Sequence, residues 1–224
     1  MRLRSSPRGA AAAFVAAGRP SGATPWREAG WCALDLELTG LDPRRDEIIA
    51  IGAVPVEDGR VLLGKSFYTL VRAARRSELG AILAHKLRVT DLAEAPSLDD
   101  SIDAVLEGLA GRIPVFHAAW IERAFLSPLF ARRRVKLPAA ADTDVLGRLW
   151  LRHRDGVAPA RVPLTKLAET LGQRPEAPHH ALGDALMTAN VFIALASHFD
   201  ERSPQTVATL VNAGEQLRGI RRFG

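Results

Sequence analysis

The 224-residue sequence contains one cysteine, Cys32, so an internal disulfide and a cysteine-based zinc site are both excluded. Lying inside the run "WCALDLEL", that cysteine reads as a small core residue, and a chain so poor in thiols suits a reducing cytoplasm. No run approaches the roughly 18 to 20 apolar residues that a membrane span requires, which argues against a membrane-spanning class and a membrane partner. Acidic residues are nearly missing from residues 1–30, where Arg2, Arg4, Arg8, Arg19 and Arg27 face Glu28 alone. Most of the net charge of +5 therefore sits in that segment, and the nearly neutral remainder does not by global charge argue for nucleic acid. Local basic clusters, Arg72/Arg75/Arg76 and Arg132/Arg133/Arg134/Lys136, are read equally well as phosphate-tracking patches and as solvated faces. No internal repeat is present.

What is there is a globular composition, 47% apolar and 25% charged, enough to bury one full core. Residues 1–30, rich in Arg, Ala, Gly and Ser, are expected to form a flexible basic arm, residues 31–200 the main domain, and residues 201–224 an amphipathic helix with the basic tail "RGIRRFG". From Trp31 the pattern is that of strands: "WCALDLEL", then two β-rich runs around the hairpin signal Asp58-Gly59, then short strands in "RIPVFH" and "PAAADTDV". Ser97 is positioned to cap a helix whose apolar residues Leu98, Ile102, Val105, Leu106 and Leu109 recur at helical spacing. A second helix starts near Ala119, with Pro128 expected to bend or end it; Gly172 closes another. A long helix spans about His180 to Ser197, and Ser203-Pro204 is expected to open the last. Strands first and helices alternating with strands afterwards predict an α/β fold with one mixed five-stranded sheet flanked by helices.

The chemistry-bearing residues stand out against this frame. Asp35 and Glu37 alternate with Leu34, Leu36 and Leu38, so the period of two sends both acids to one face of the strand and the leucines to the other. Two acids on one face repel each other and lose hydration unless a cation neutralises them, and oxygen-only ligation suits Mg²⁺ or Mn²⁺. Taken alone, the stretch also fits two acids at a strand end facing water. "PEAPHHALGDALMTANVF" adds Asp184 on a helix, with His179 five residues earlier, and "VFHAAWIERAFL" places Glu122 one turn into another helix. A histidine near a carboxylate supplies a base with an ordinary pKa close to neutrality. Four acids and one histidine suffice for a two-metal site.

The segments "DLELTGLDPRRDEIIAIGAV", "FHAAWIERAFL" and "HHALGDA" resemble, in order and spacing, the three motifs of the DEDD exonuclease superfamily in its histidine branch, which includes the proofreading epsilon subunit of bacterial DNA polymerase III. The resemblance runs from about Cys32 to Ser197 and implies a ribonuclease-H-like sheet and removal of nucleotides from a 3′ end. It implies that Asp35, Glu37, Glu122 and Asp184 hold two Mg²⁺ or Mn²⁺ ions, and that Thr39, Gly40 and Leu41 cradle the 3′-terminal nucleotide with Leu41 against the base. His179 matches the His-x-Ala-x-x-Asp pattern and would deprotonate the attacking water. His180 stands where the superfamily's other branch carries its tyrosine, and the five-residue spacing with Ala181 favours His179. The second motif departs from His-Asn-Ala-x-Phe-Asp: Ala118 replaces the asparagine and Glu122 the aspartate. Asp142 matches an Asp-Thr that starts a helix, and capping is its expected role. His117, Trp120 and His153 read as packing or surface residues. The expected activity is hydrolysis of terminal phosphodiesters of single-stranded DNA to nucleoside 5′-monophosphates, in proofreading or repair and with a polymerase subunit as a candidate partner. RNA trimming, and a catalytically silent module that binds nucleic-acid ends or a polymerase, are the alternatives.

Overall fold

The computed structural model describes residues 7–73, 87, 89–175 and 179–219. Its centre is a mixed sheet whose first strand, β1 (Trp31–Leu38), pairs antiparallel with β2 (Ile48–Glu57). At Asp58 and Gly59 φ is 52° and 68°, the two successive left-handed residues that a tight two-residue hairpin turn needs. The chain returns as β3 (Arg60–Val61) and, after a single 3₁₀ turn over Leu63–Lys65, as β4 (Phe67–Leu70). Both lie on the same edge of β2, so the one returning strand expected there is split in two. The gap falls opposite Pro55, which has no N–H to give to a ladder. β5 (Ile113–Phe116) runs parallel to β1 on its other side, and β6 (Ala141–Asp142) runs parallel to β5. The path β3-β2-β1-β5-β6, with β4 also paired to β2, is the mixed sheet the sequence predicts.

Helices cover both faces, and β1 shows why. Trp31 and Ala33 pack with Val54, Val115 and Phe192 in one core, whereas Cys32, Leu34, Leu36 and Leu38 pack with Ile102, Leu106 and Phe130 in the other. In chain order the helices are α1 (Ala10–Ala16), α2 (Val89–Leu92), α3 (Leu98–Leu109), α4 (Trp120–Arg132), α5 (Thr143–Asp155), α6 (Leu164–Thr170), α7 (Ala181–Asp200), α8 (Val207–Val211) and α9 (Ala213–Gly219). Ser97 caps α3 as expected, its Oγ accepting the Asp100 N–H at 3.2 Å. α4 does not end at Pro128 but runs through it to Arg132. α7 is the central helix, resting on both β1 and β2; contrary to the sequence reading it is long and apolar enough to cross a membrane, but 56% of its apolar window is buried inside the fold.

The ends of the chain differ from expectation. Within the segment predicted to be a flexible arm, α1 buries Ala11 and Phe14, the latter edge-on to Phe130 at 5.9 Å, and Trp26 is only 1% exposed. The Trp26 N–H donates to the Gln205 carbonyl and the Val207 N–H to the Thr24 carbonyl, tying the two terminal segments together. The C-terminal helix is interrupted at Asn212, and its first turn is capped by Thr206 in a reciprocal pair with Thr209, two residues beyond Ser203-Pro204. Arg75, Arg76 and most of the tail "RGIRRFG" lie outside the described residues.

Candidate active site

β1 changes character halfway along. Its even-numbered leucines stay in one core, while the opposite face passes from Trp31 and Ala33 under the middle of α7 to Asp35 and Glu37 under its N-terminus. One oxygen each from Asp35, Glu37 and Asp184 lie within 4.8 Å of one another. Glu37 and Asp184 are buried and Asp35 half-buried. Three carboxylates packed this closely require a cation or protons, and the molecule shows the strain. Burial, followed by the charges of Glu122, Asp184 and Glu37, pushes the Asp35 carboxyl well above its ordinary range. Burial and the Asp184 charge push Glu37 up to about 7, and burial also raises Asp184.

Glu122 stands outside the trio of oxygens but close enough to act on Asp35 electrostatically. It is 4% exposed, and burial raises it to about 8, opposed by the main-chain N–H of its own residue. Among the described residues, Glu37 Oε1 and Glu122 Oε2 are buried without a hydrogen-bond partner. Orphaned acceptors of this kind carry a desolvation cost that a bound cation removes. An all-oxygen donor set with two such orphans fits a hard divalent ion.

The approach of α7 depends on Gly52, which sequence reading passes over as one more residue of a buried strand. Gly52 is the cross-strand partner of Asp35 on one side and of Tyr68 on the other. A Cβ there would lie 2.2 Å from the Ala181 carbonyl oxygen and 2.4 Å from the Leu182 nitrogen, so only glycine lets the first turn of α7 touch the sheet. That contact sets Asp184 above Asp35. Tyr68, also missed from sequence, stacks on His180 with ring centroids 4.6 Å apart and planes 21° apart. The signal for both was their register in the hairpin, which a single strand read alone does not reveal.

The two histidines separate in role. His180 is the N-cap of α7, its Nδ1 accepting the Gly183 N–H at 3.5 Å, so it is a helix-start residue. His179 is exposed on the preceding loop at φ 69°, and its main-chain N–H donates to Asp184 Oδ2 at 2.7 Å. This places His179 beside the acid trio with its side chain toward solvent.

Asp142 caps α5, as expected, and does more. Its carboxylate accepts the N–H groups of Asp144 at 3.0 Å, Ala118 at 3.1 Å and Ala119 at 3.0 Å, holding the turn from β5 into α4 and so the start of the helix that carries Glu122. Ala118 sits in that turn at φ 60°, a region where asparagine is at ease and alanine is strained. His117 shares a hydrogen bond with the Thr143 hydroxyl at 2.9 Å, a packing role. Thr39 is buried, its hydroxyl donating to Asp46 Oδ1 at 3.1 Å and accepting the Glu47 N–H at 3.0 Å. The Asp46 carboxylate lies 2.5 Å from where a Cβ on Gly40 would be, and Leu41, just past the end of β1, is 62% exposed.

The acids thus meet at the ends of the parallel strands, with a histidine on the loop before the helix that bears Asp184. The chain belongs to the exonuclease family RNase_T, whose model matches residues 32–192. It is 32% identical over 176 residues to the PolC-type DNA polymerase III of Thermotoga petrophila, a match that covers 75% of this chain and 12% of that relative. It is 29% identical over 204 residues to a DNA polymerase III subunit epsilon-like protein of Rhodobacter capsulatus, covering 90% of this chain and 28% of that relative. The chain thus spans only a small part of the length of these relatives. The nuclease domain of 3′hExo, a DEDDh family member solved with rAMP, superposes with a TM-score of 0.61 at 19% identity over 82% of this chain and 98% of that one, which shows the shared fold.

Proposed function

We propose that this chain is a metal-dependent 3′-5′ exonuclease that hydrolyses the terminal phosphodiester of single-stranded DNA and releases nucleoside 5′-monophosphates, in the setting of polymerase proofreading or repair. The observation that carries the reading is the clustering of Asp35, Glu37 and Asp184 oxygens within 4.8 Å, with the orphaned Glu122 beside them. Asp35, Glu37, Glu122 and Asp184 would hold two divalent cations, Mg²⁺ or Mn²⁺, whose charge would stabilise the attacking and leaving oxygens. His179, exposed on its loop, accepts the proton of the water that attacks phosphorus, the bond from phosphorus to the 3′ oxygen breaks, and that oxygen takes a proton from solvent to leave as a hydroxyl. Thr39, Gly40 and Leu41 form the end wall for the 3′-terminal nucleotide: the Thr39 hydroxyl is spent on holding the turn rigid, and exposed Leu41 meets the base. DNA as substrate, and a polymerase subunit as partner, are supported by the names of the relatives, DNA polymerase III of PolC type and an epsilon-like protein. RNA is the second reading, favoured by the rAMP in the 3′hExo structure. The small number of thiols supports a reducing, cytoplasmic setting. Incubating the protein with 5′-labelled DNA and RNA strands under Mg²⁺ and under Mn²⁺ tests the proposal. A ladder shortening one nucleotide at a time on DNA supports it, a faster ladder on RNA moves the substrate, and no shortening of either refutes it.

A further inference from the structure

A cleft of about 380 Å³ opens at the ends of β5 and β6, beside the turn that starts the helix bearing Glu122. That volume lies within the range of about 300 to 1,000 Å³ typical of ligand pockets. Its walls include Ala118, Trp120, Arg148, Arg161 and Pro163. Ala118 belongs to the turn that Asp142 holds, and Trp120 is the first residue of α4, two positions before Glu122. Trp120 is 50% exposed, in contrast to the fully enclosed Trp26 and Trp31. The Arg161 guanidinium lies over its ring, 5.6 Å from the centroid. Among the described residues Arg161 forms no ion pair, whereas its neighbour Arg148 is committed to Asp144 at 3.6 Å and to the Pro159 carbonyl at 2.8 Å. The two acids of the cleft are likewise committed: Asp142 to three N–H groups, Asp144 to the Val162 N–H at 2.8 Å and to Arg148.

An exposed aromatic ring beside an unpaired guanidinium is the pairing that single-stranded nucleic acid uses, because every base offers a face to stack and every phosphate a charge. Resting on the exonuclease reading, we infer that this cleft is a nucleotide subsite in which a base of the substrate strand stacks on Trp120 while Arg161 holds the adjacent phosphate. The terminal nucleotide occupies the Thr39–Leu41 end of the cluster, so the subsite takes a nucleotide on the 5′ side of the bond being cut. Stacking is indifferent to base identity, so the subsite lengthens the footprint on the strand without imposing a sequence.

Fluorescence anisotropy of 5′-fluorescein oligothymidylate on the Asp35→Asn protein measures binding without cleavage. Adding Trp120→Ala weakens binding about tenfold and Trp120→Phe restores most of it, in keeping with the stacking of bases on aromatic rings. Adding Arg161→Ala lowers the slope of log Kd against log salt by about 0.7, the loss of one phosphate contact to a single strand. Binding within twofold of the parent for Trp120→Ala, or an unchanged salt slope for Arg161→Ala, overturns the subsite. The two readings fail separately. A chain with Asp35 intact that shortens no labelled strand, while Asp35→Asn binding still depends on Trp120, sinks the exonuclease and leaves the cleft; active shortening with binding indifferent to both residues sinks the cleft alone.

Discussion

Replacing Gly52 with alanine should disable the site without touching any of its acids. The added methyl carbon would lie 2.2 Å from the Ala181 carbonyl oxygen, 2.3 Å from its carbon and 2.4 Å from the Leu182 nitrogen, all main-chain atoms that cannot rotate away. Restoring ordinary contact means pushing the first turn of α7 off the sheet by about 1 Å. Asp184 lies in that turn, and His179 is tied to it by a hydrogen bond, so one displacement moves both Asp184 and His179 away from Asp35 and Glu37. A misplacement of about 1 Å costs catalysis roughly 10²-fold, and overpacking costs about 1 to 3 kcal/mol of stability. Measured as kcat/KM on a 5′-labelled single strand together with a thermal melt, Gly52→Ala should lose about two orders of magnitude in rate and melt a few degrees lower. A variant within threefold of the parent in rate would refute the claim that this contact positions α7.

Other expectations follow from the same geometry. His179→Ala should lower turnover by about 10² with little change in the melt, and His180→Ala should do far less; the reverse order assigns the base to His180. The raised Glu37 and Glu122 carboxyls mean that the metal-free native protein keeps protons between pH 4.5 and about 7 to 8 that the unfolded chain has already lost. The stability these two carboxyls contribute is therefore full below about pH 4.5 and is lost as pH rises to about 7 to 8, whereas a saturating divalent ion should flatten that fall; a metal-free melt that rises over this window contradicts the sign. Ala118→Gly should raise the melting point by about 2 to 4 °C, since relief of the left-handed alanine is worth about 1 kcal/mol, and an unchanged melt would show that the turn carries no strain. Glu122→Gln should lose most of the rate and Glu122→Asp should be no faster than the parent; a Gln variant as fast as the parent makes Glu122 a bystander.

The acids were legible because their signal is local. A period of two in β1 assigns Asp35 and Glu37 to one face whatever lies above them, and the hairpin at Asp58-Gly59 and the Ser97 cap are written in two to four residues. What was not legible is what depends on distant partners. Phe14 gives an Ala-rich segment little local pattern, and its burial comes from Phe130 more than a hundred residues away. Gly52 looks like any strand glycine until α7 is laid across it, and Asp142 looks like a simple cap until Ala118 and Ala119 are brought to its carboxylate. Pro128 breaks a helix by local rules, yet α4 packs Phe125, Leu126, Leu129 and Phe130 into the core on both sides of it, and that burial carries the helix through.

The central claim is that Asp35 and its neighbours bind the metal that cuts the strand end, and one comparison tests it most directly. The parent and Asp35→Asn are each given 5′-labelled single-stranded DNA, with Mg²⁺, with Mn²⁺ and with excess chelator, and the products are resolved at single-nucleotide spacing. The parent should shorten the strand from its 3′ end stepwise with either ion and stop with chelator. Asp35→Asn should leave the strand intact while melting, metal-free, at or above the parent, because it removes one of the crowded acids. Stepwise shortening that persists in Asp35→Asn, or in the parent under chelator, would contradict the account.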